Sequence, residues 1–96
     1  MKGADAQLEA LRRRFHARAR TDSASILVAL KERDREKLLY LAHGLAGIAG
    51  IFGHAEIGAQ AAAVEEGLEA GLDEAALAHR ALALVAALEQ VGQPGP

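Results

Sequence analysis

The stretch LLYLAHGLAGIAGIFG, residues 38–53, decides the fold because it has the pattern of a helix with two different faces. At about 100° of rotation per residue, the large apolar side chains fall on one stripe and two alanines lie on its flank. The stripe comprises Leu38, Leu41, Leu45, Ile48 and Phe52, and the flanking residues are Ala42 and Ala49. We expect this stripe to be buried.

The opposite face of the same helix carries His43, with Gly47 and Gly50 one and two turns further along. A glycine inside a helix costs about 1 kcal/mol relative to alanine, so helix stability does not explain Gly44, Gly47 and Gly50. A face without long side chains lets another molecule come close to the imidazole. The pattern therefore predicts an exposed histidine at the centre of a docking surface.

Composition indicates one helical domain over residues 1–96. Aromatic residues make up only 3% of the chain, and both prolines lie in the last four residues, so nothing interrupts long helices rich in alanine and leucine. The absence of cysteine excludes disulfides, thiol nucleophiles and cysteine metal sites. No apolar run approaches the roughly 18–20 residues of a membrane span, so we expect a soluble cytoplasmic protein without a membrane partner.

Charge is unevenly distributed along the chain, although the formal net charge is only −2. Nearly all Lys and Arg residues precede Tyr40, whereas acidic residues dominate later. A basic helix could favour nucleic acid, but the mild net charge and the lack of a binding motif argue against it. We expect a solvated basic face and no nucleic-acid partner.

Periodicity along the chain predicts an all-α, up-down-up-down antiparallel four-helix bundle. The first helix is expected from about Asp5, with a kink or break near residues 20–23, where cap-forming residues cluster. The second runs from the N-cap Asp34 to about Phe52, and Asp73 is the expected N-cap of the fourth, while residues 92–96 should fray. The predicted inner stripes of the other helices are Leu8, Leu11, Phe15, Ile26, Leu27 and Leu30; Ile57, Ala61, Val64 and Leu68; and Leu77, Ala81, Leu84, Leu88 and Val91.

Turn and surface positions complete this prediction. Gly53 has the position of a left-handed residue after the second helix, and Gly71 ends the third. His16 lies at the margin of the first stripe, where we expect a partly buried ring without a role. The acidic residues of the third helix, Glu56, Glu65, Glu66 and Glu69, are expected to face water.

Most site chemistries lack a motif in this chain. No Glu-x-x-His or HExxH pair is present for a bundle metal site, and the hydroxyl residues Thr21, Ser23 and Ser25 lie in no nucleophile motif. The glycines of the second helix follow no strand and are not a phosphate loop. What remains is an exposed imidazole, a side chain whose ring nitrogen can accept and return a phosphoryl group.

The segment from Ala42 to Gly53, AHGLAGIAGIFG, resembles the histidine-containing phosphotransfer (HPt) family, whose signature is a histidine followed by x-Leu-Lys-Gly and further glycines at helical intervals. The similarity extends over nearly the whole chain, since the spacing of several other positions also fits. These are Phe15, Asp34, Ile57, Ala61, Val64 and Glu65.

The resemblance implies that His43 is the phosphoacceptor in a phosphorelay of two-component signal transduction. It would take a phosphoryl group from an aspartate on a response-regulator receiver domain or from a hybrid histidine kinase, and pass it to another receiver. This chain would bind no cofactor itself, since the receiver brings the acidic pocket, the Mg²⁺ and a lysine. On the two-faced helix we expect Leu39, Tyr40, Gly44 and Ala46 to form the docking rim, and Gly47 and Gly50 to give the clearance for a receiver.

One position departs from the family signature. The lysine three residues after the histidine is replaced by Ala46, so a cation that would help to hold the phosphoryl oxygens is missing. Lys37, Arg35 or charges of the receiver are the candidate replacements. Because of this departure, a module that binds receivers or kinases without being phosphorylated stays open as an alternative. A third interpretation is self-association through the glycine face, although we expect a monomer.

Overall fold

The computed structural model describes the backbone of residues 2–92 and the side chains of residues 6–91. It contains four helices, α1 (Lys2–Lys31), α2 (Arg35–Ile51), α3 (Ala55–Glu69) and α4 (Glu74–Gly92). The all-α prediction is therefore confirmed. The expected fraying of residues 92–96 falls outside the described residues, apart from the backbone of Gly92.

The helices form an antiparallel ring in which each packs on its two neighbours, α1 with α2 and α4, and α3 with α2 and α4. Contacts at the two ends fix the directions. At one end Arg35, the first residue of α2, bonds Glu74, the first residue of α4. At the other end the ring of Phe15 stacks on Phe52 and His54, which flank the α2–α3 turn. The predicted up-down-up-down bundle is thus confirmed.

Local capping explains where α2 and α4 begin. The carboxylate of Asp34 accepts a hydrogen bond of 3.0 Å from the backbone N–H of Lys37, and Asp73 accepts one of 2.9 Å from that of Ala76. Each satisfies an N–H that has no partner within its helix. Both caps were predicted from the sequence.

Left-handed residues end the helices and turn the chain. Gly53 after α2 has φ +75° and Gly71 after α3 has φ +71°, conformations that glycine adopts without the steric cost of a Cβ. Both were predicted as helix ends. Arg33, in the α1–α2 connection, also has a positive φ of 56°.

The core is built from small and branched side chains. In α2 the buried residues are Leu38, Ala42, Leu45 and Ala49, while Leu41, Ile48 and Phe52 are only partly buried. The predicted stripe is therefore rotated toward the alanines that were placed on its flank, because α2 packs between α1 and α3 rather than on one surface. The other buried core residues are Phe15, Ala19, Ile26, Ala29, Ile57, Ala61, Val64, Leu77, Ala81, Leu84, Val85, Ala87 and Leu88.

The predicted kink or break near residues 20–23 is wrong, since α1 is one uninterrupted helix across this segment. The polar side chains there bond within the helix instead of ending it. The hydroxyl of Thr21 donates to the carbonyl of Ala17 (3.3 Å), and the buried Asp22 accepts from Nε of Arg18 (3.1 Å). Residues that prefer caps are thus accommodated in a helix interior.

The first half of α1 extends beyond the bundle. At about 1.5 Å per residue its 30 residues span about 45 Å, whereas the 17 residues of α2 span about 26 Å. Leu8 and Leu11 are therefore 52% and 42% exposed, and their predicted burial is wrong. Leu27 is likewise exposed, because Ile26 and Ala29 occupy the inner face at that level.

None of the helices in the described part of the chain is long and apolar enough to cross a membrane.

Candidate functional site

His43 lies in the middle of α2 on the face directed away from the core. Its side chain is 79% exposed, whereas Ala42 and Leu45 on the opposite side are fully buried. The predicted exposure of this imidazole is confirmed. The α2 backbone fixes the position of the Cα and Cβ atoms of His43, and burial of the core stripe fixes which face of the helix meets solvent.

Glu65 of α3 holds the ring from one side. Its Oε2 lies 2.9 Å from Nδ1 of His43, and its side chain is only 21% exposed. An ionised carboxylate only accepts hydrogen bonds, so this contact places the proton of a neutral imidazole on Nδ1 and leaves the lone pair on Nε2. The expectation that Glu65 simply faces water is therefore wrong.

An open groove of about 390 Å³ runs along the α2–α3 side of the histidine. Leu39 and Tyr40 supply its apolar wall, and Tyr40 is 75% exposed. Glu36, Glu65 and Glu69 line the rest, so this flank of His43 carries negative charge. The structure thus brings two of the predicted rim residues, Leu39 and Tyr40, into one groove with the imidazole.

The glycines beside His43 leave the helix surface open. Among the described residues, no atom outside the local helix lies within 4 Å of where a Cβ would stand at Gly47 or Gly50. Neither glycine is thus required for packing within the bundle. Gly44 differs, because a Cβ there would lie 3.3 Å from Nη2 of Arg18.

The position of the missing lysine faces the bundle more than the solvent. Ala46 is half-buried and packs against the core. Arg35, one candidate replacement, is engaged elsewhere, since its guanidinium bonds Glu74 (2.7 Å) and the carbonyl of Leu72 (2.7 Å). Lys37, the other candidate, precedes His43 by six residues, or about 9 Å along the helix axis. The expectation that Arg35 provides the cation is therefore not supported by its contacts.

The other histidines have different surroundings. His54 is half-buried before α3, where its ring stacks on Phe15 at a centroid distance of 4.7 Å. His16 is exposed, so its predicted partial burial is wrong, and His79 is exposed on α4. In residues 6–91 no group of three His, Asp or Glu side chains is arranged to hold a metal ion.

Sequence reasoning missed three features of this surface. It gave no role to Arg18, which lies beside Gly44. It did not place Ile51 on the exposed face, where that residue is 79% exposed. It also did not pair Glu65 with His43. The first and third depend on how neighbouring helices are rotated, which the periodicity of one helix does not specify. Ile51 could have been found, since it lies on the helix face of Gly47 and Gly44.

Comparisons with known proteins agree with this geometry. The family model described as "Hpt domain" matches residues 5–93, which is almost the whole chain. Searches of curated proteins and of solved structures returned no match. HPt domains act in phosphorelays through histidine phosphotransfer, with receiver domains and kinases as their usual partners. On the match to the family model, with a four-helix bundle that displays a histidine on its second helix, this chain belongs to the Hpt domain family.

Proposed function

We propose that this protein is a phosphorelay intermediate whose phosphoacceptor is Nε2 of His43. The observation that carries the proposal is the 2.9 Å contact between Nδ1 and Glu65 on a ring whose side chain is 79% exposed. One nitrogen is engaged by the protein, and the other faces outward. A positioned and accessible nucleophile is what phosphoryl transfer between two proteins requires.

The transfer is a displacement at phosphorus. The lone pair of Nε2 attacks the phosphorus of an aspartyl phosphate, and the P–N bond forms as the bond from phosphorus to the carboxylate oxygen breaks. The electron pair leaves with the aspartate carboxylate, and Nδ1 keeps its proton. The ring then carries positive charge, which the Glu65 carboxylate stabilises across the hydrogen bond. Passing the group to a second aspartate reverses these steps.

The donor and acceptor are receiver domains, with a hybrid histidine kinase as an alternative donor. Gly47 and Gly50 give the clearance for a receiver to approach, and Leu39 and Tyr40 offer apolar contact area beside the imidazole. Gly44 and Ala46 complete the rim on its two flanks. The Mg²⁺ that neutralises the phosphoryl charge is expected on the receiver. The protein itself is expected to act as a cytoplasmic monomer.

The test is transfer from a receiver domain that has been phosphorylated with radiolabelled acetyl phosphate. We expect label on the protein that is lost in acid and stable in base, as a phosphoramidate bond is. His43→Gln should abolish it, whereas His79→Gln, which changes an exposed histidine on α4, should not. Label that persists on the His43→Gln variant would refute the assignment.

A second candidate function is a module that binds receivers or kinases without being phosphorylated. The replacement of the family lysine by Ala46 is the observation that favours it. It predicts that wild type and His43→Ala bind a receiver with equal Kd and that neither accepts label. Transfer to His43 in the preceding experiment excludes it.

A further inference from the structure

Arg18 of α1 lies on the flank of the histidine that the acidic groove does not occupy. Its Nη2 is 3.3 Å from the place of a Cβ at Gly44, the residue next to His43. Glu65 approaches from α3 on the other side. A carboxylate from one helix thus contacts the ring, and a guanidinium from another helix lies beside the residue next to it.

Asp22 orients this guanidinium. Its Oδ2 accepts a 3.1 Å hydrogen bond from Nε of Arg18, and its side chain is only 11% exposed. Within the described residues the side chain of Arg18 makes no other hydrogen bond, so Nη1 and Nη2 remain available. The side chain of Arg18 is 46% exposed, so these nitrogens are accessible to a group bound at the surface.

A phosphoryl group on Nε2 of His43 needs such a cation. The groove beside the ring is lined by Glu36, Glu65 and Glu69, whose charges repel a phosphoryl dianion. Ala46 supplies no charge, and Arg35 is bonded to Glu74. The guanidinium matches phosphate geometry because it presents paired N–H donors in a plane.

We infer that Arg18 binds the phosphoryl oxygens of phosphorylated His43, and that Gly44 is small so that the guanidinium can lie beside the ring. This inference rests on the proposed function of His43. Arg18 stays protonated and forms hydrogen bonds only, so no bond to phosphorus changes. A cation delivered across the α1–α2 interface thereby takes the place of the lysine that α2 lacks.

The test loads the full chain directly with potassium phosphoramidate, which requires no receiver. Exposed His16 and His79 are first changed to Gln so that label reports on His43, and His43→Gln in this background is the blank. The phosphohistidine is then titrated by ³¹P NMR at neutral and alkaline pH, where the P–N bond persists. A neighbouring cation disfavours uptake of a proton by the phosphohistidine and so lowers its pKa.

We expect Arg18→Gln to raise the midpoint of that titration by about 0.3–0.7 pH unit, a twofold to fivefold change in proton affinity typical of a partly exposed charge pair. Arg18→Lys should restore part of the shift. Arg20→Gln, which removes an exposed positive charge from the same helix, should leave the midpoint in place. High salt should reduce the difference between wild type and Arg18→Gln.

Loss of Arg18 also leaves the buried Asp22 without its partner, so Arg18→Gln alone could lower stability. The pair Arg18→Gln with Asp22→Asn keeps a neutral contact there, and Asp22→Asn alone keeps the guanidinium. A midpoint that moves in the double variant but not in Asp22→Asn supports the inference. An unchanged midpoint in Arg18→Gln, on a protein labelled at His43, overturns it while the proposed function stands. Absence of label above the blank overturns both.

Discussion

Oε2 of Glu65 lies 2.9 Å from Nδ1 of His43, across the interface between α3 and α2. This contact decides which ring nitrogen is available for chemistry, since the proton on Nδ1 leaves the lone pair on Nε2. It also places a negative charge next to the ring that becomes positive when phosphorus binds. A surface histidine without this partner would have neither property.

Replacing Glu65 should therefore slow phosphoryl transfer without unfolding the bundle. We expect Glu65→Ala to lower the initial rate of labelling by roughly tenfold or more, and Glu65→Gln, which keeps an acceptor but loses the charge, to have a smaller effect. Glu66→Gln changes the exposed neighbour and is the matched control. Rates from a phosphorylated receiver and Tm by circular dichroism check both parts. Equal rates for Glu65→Ala and Glu66→Gln would show that the contact has no part in transfer.

Substitutions at Gly47 and Gly50 should slow the approach of a receiver to His43 without lowering the stability of the bundle. Open space surrounds both positions in the described bundle, and glutamine forms helix more readily than glycine. We expect Gly47→Gln and Gly50→Gln to keep the Tm or raise it by a few degrees, equivalent to about 0.5 kcal/mol, while transfer from a receiver becomes slower. Ala86→Gln, on the exposed face of α4, controls for an added surface side chain.

Labelling with phosphoramidate is a second control for the glycine variants, because this small donor needs no protein surface. Its rate should be nearly unchanged while receiver-dependent transfer falls. If receiver-dependent transfer is also unchanged, the glycines are not there to give clearance.

The parts of the fold that the sequence predicts are those set by short-range interactions. Asp34 and Asp73 cap helices within three residues of themselves, and Gly53 and Gly71 take left-handed conformations that the following chain direction requires. The exposure of His43 can also be predicted from the sequence of α2 alone, because His43 lies opposite the apolar stripe of that helix whatever the neighbouring helices do.

The parts that sequence reasoning missed depend on how helices meet. Glu65 has the pattern of a solvent-facing residue on α3, and only the rotation of α3 against α2 brings its carboxylate to the imidazole. Arg18 reaches Gly44 across an interface between helices in the same way. Leu8 and Leu11 continue the apolar period of α1, but periodicity does not say how far the neighbouring helices extend.

Restoring the family lysine tests whether a lack of positive charge near His43 limits the lifetime of the phosphorylated histidine. The stem of a lysine at position 46 can run along the half-buried surface and bring its amine to the solvent edge. We expect Ala46→Lys to lengthen the lifetime of phosphorylated His43 by about two- to fivefold, and more in an Arg18→Gln background than in wild type. Ala86→Lys adds the same charge at a distance and should have no effect.

The lifetime is measured by the loss of radiolabel after the donor is removed. No gain from Ala46→Lys in either background would mean that the receiver supplies all the charge that the phosphoryl group needs.

Truncating Phe15 should destabilise the bundle far more than truncating Leu11, although both lie on the same apolar period of α1. Phe15 is 2% exposed and stacks on Phe52 and His54 where three helices meet, whereas Leu11 is 42% exposed on the part of α1 that extends beyond the bundle. We expect Phe15→Ala to cost about 3–5 kcal/mol in free energy of unfolding and Leu11→Ala less than about 1 kcal/mol. Urea denaturation of the two variants, followed by circular dichroism, measures both values. A cost for Leu11→Ala close to that for Phe15→Ala would mean that Leu11 is buried in solution, and that the extended half of α1 packs against protein.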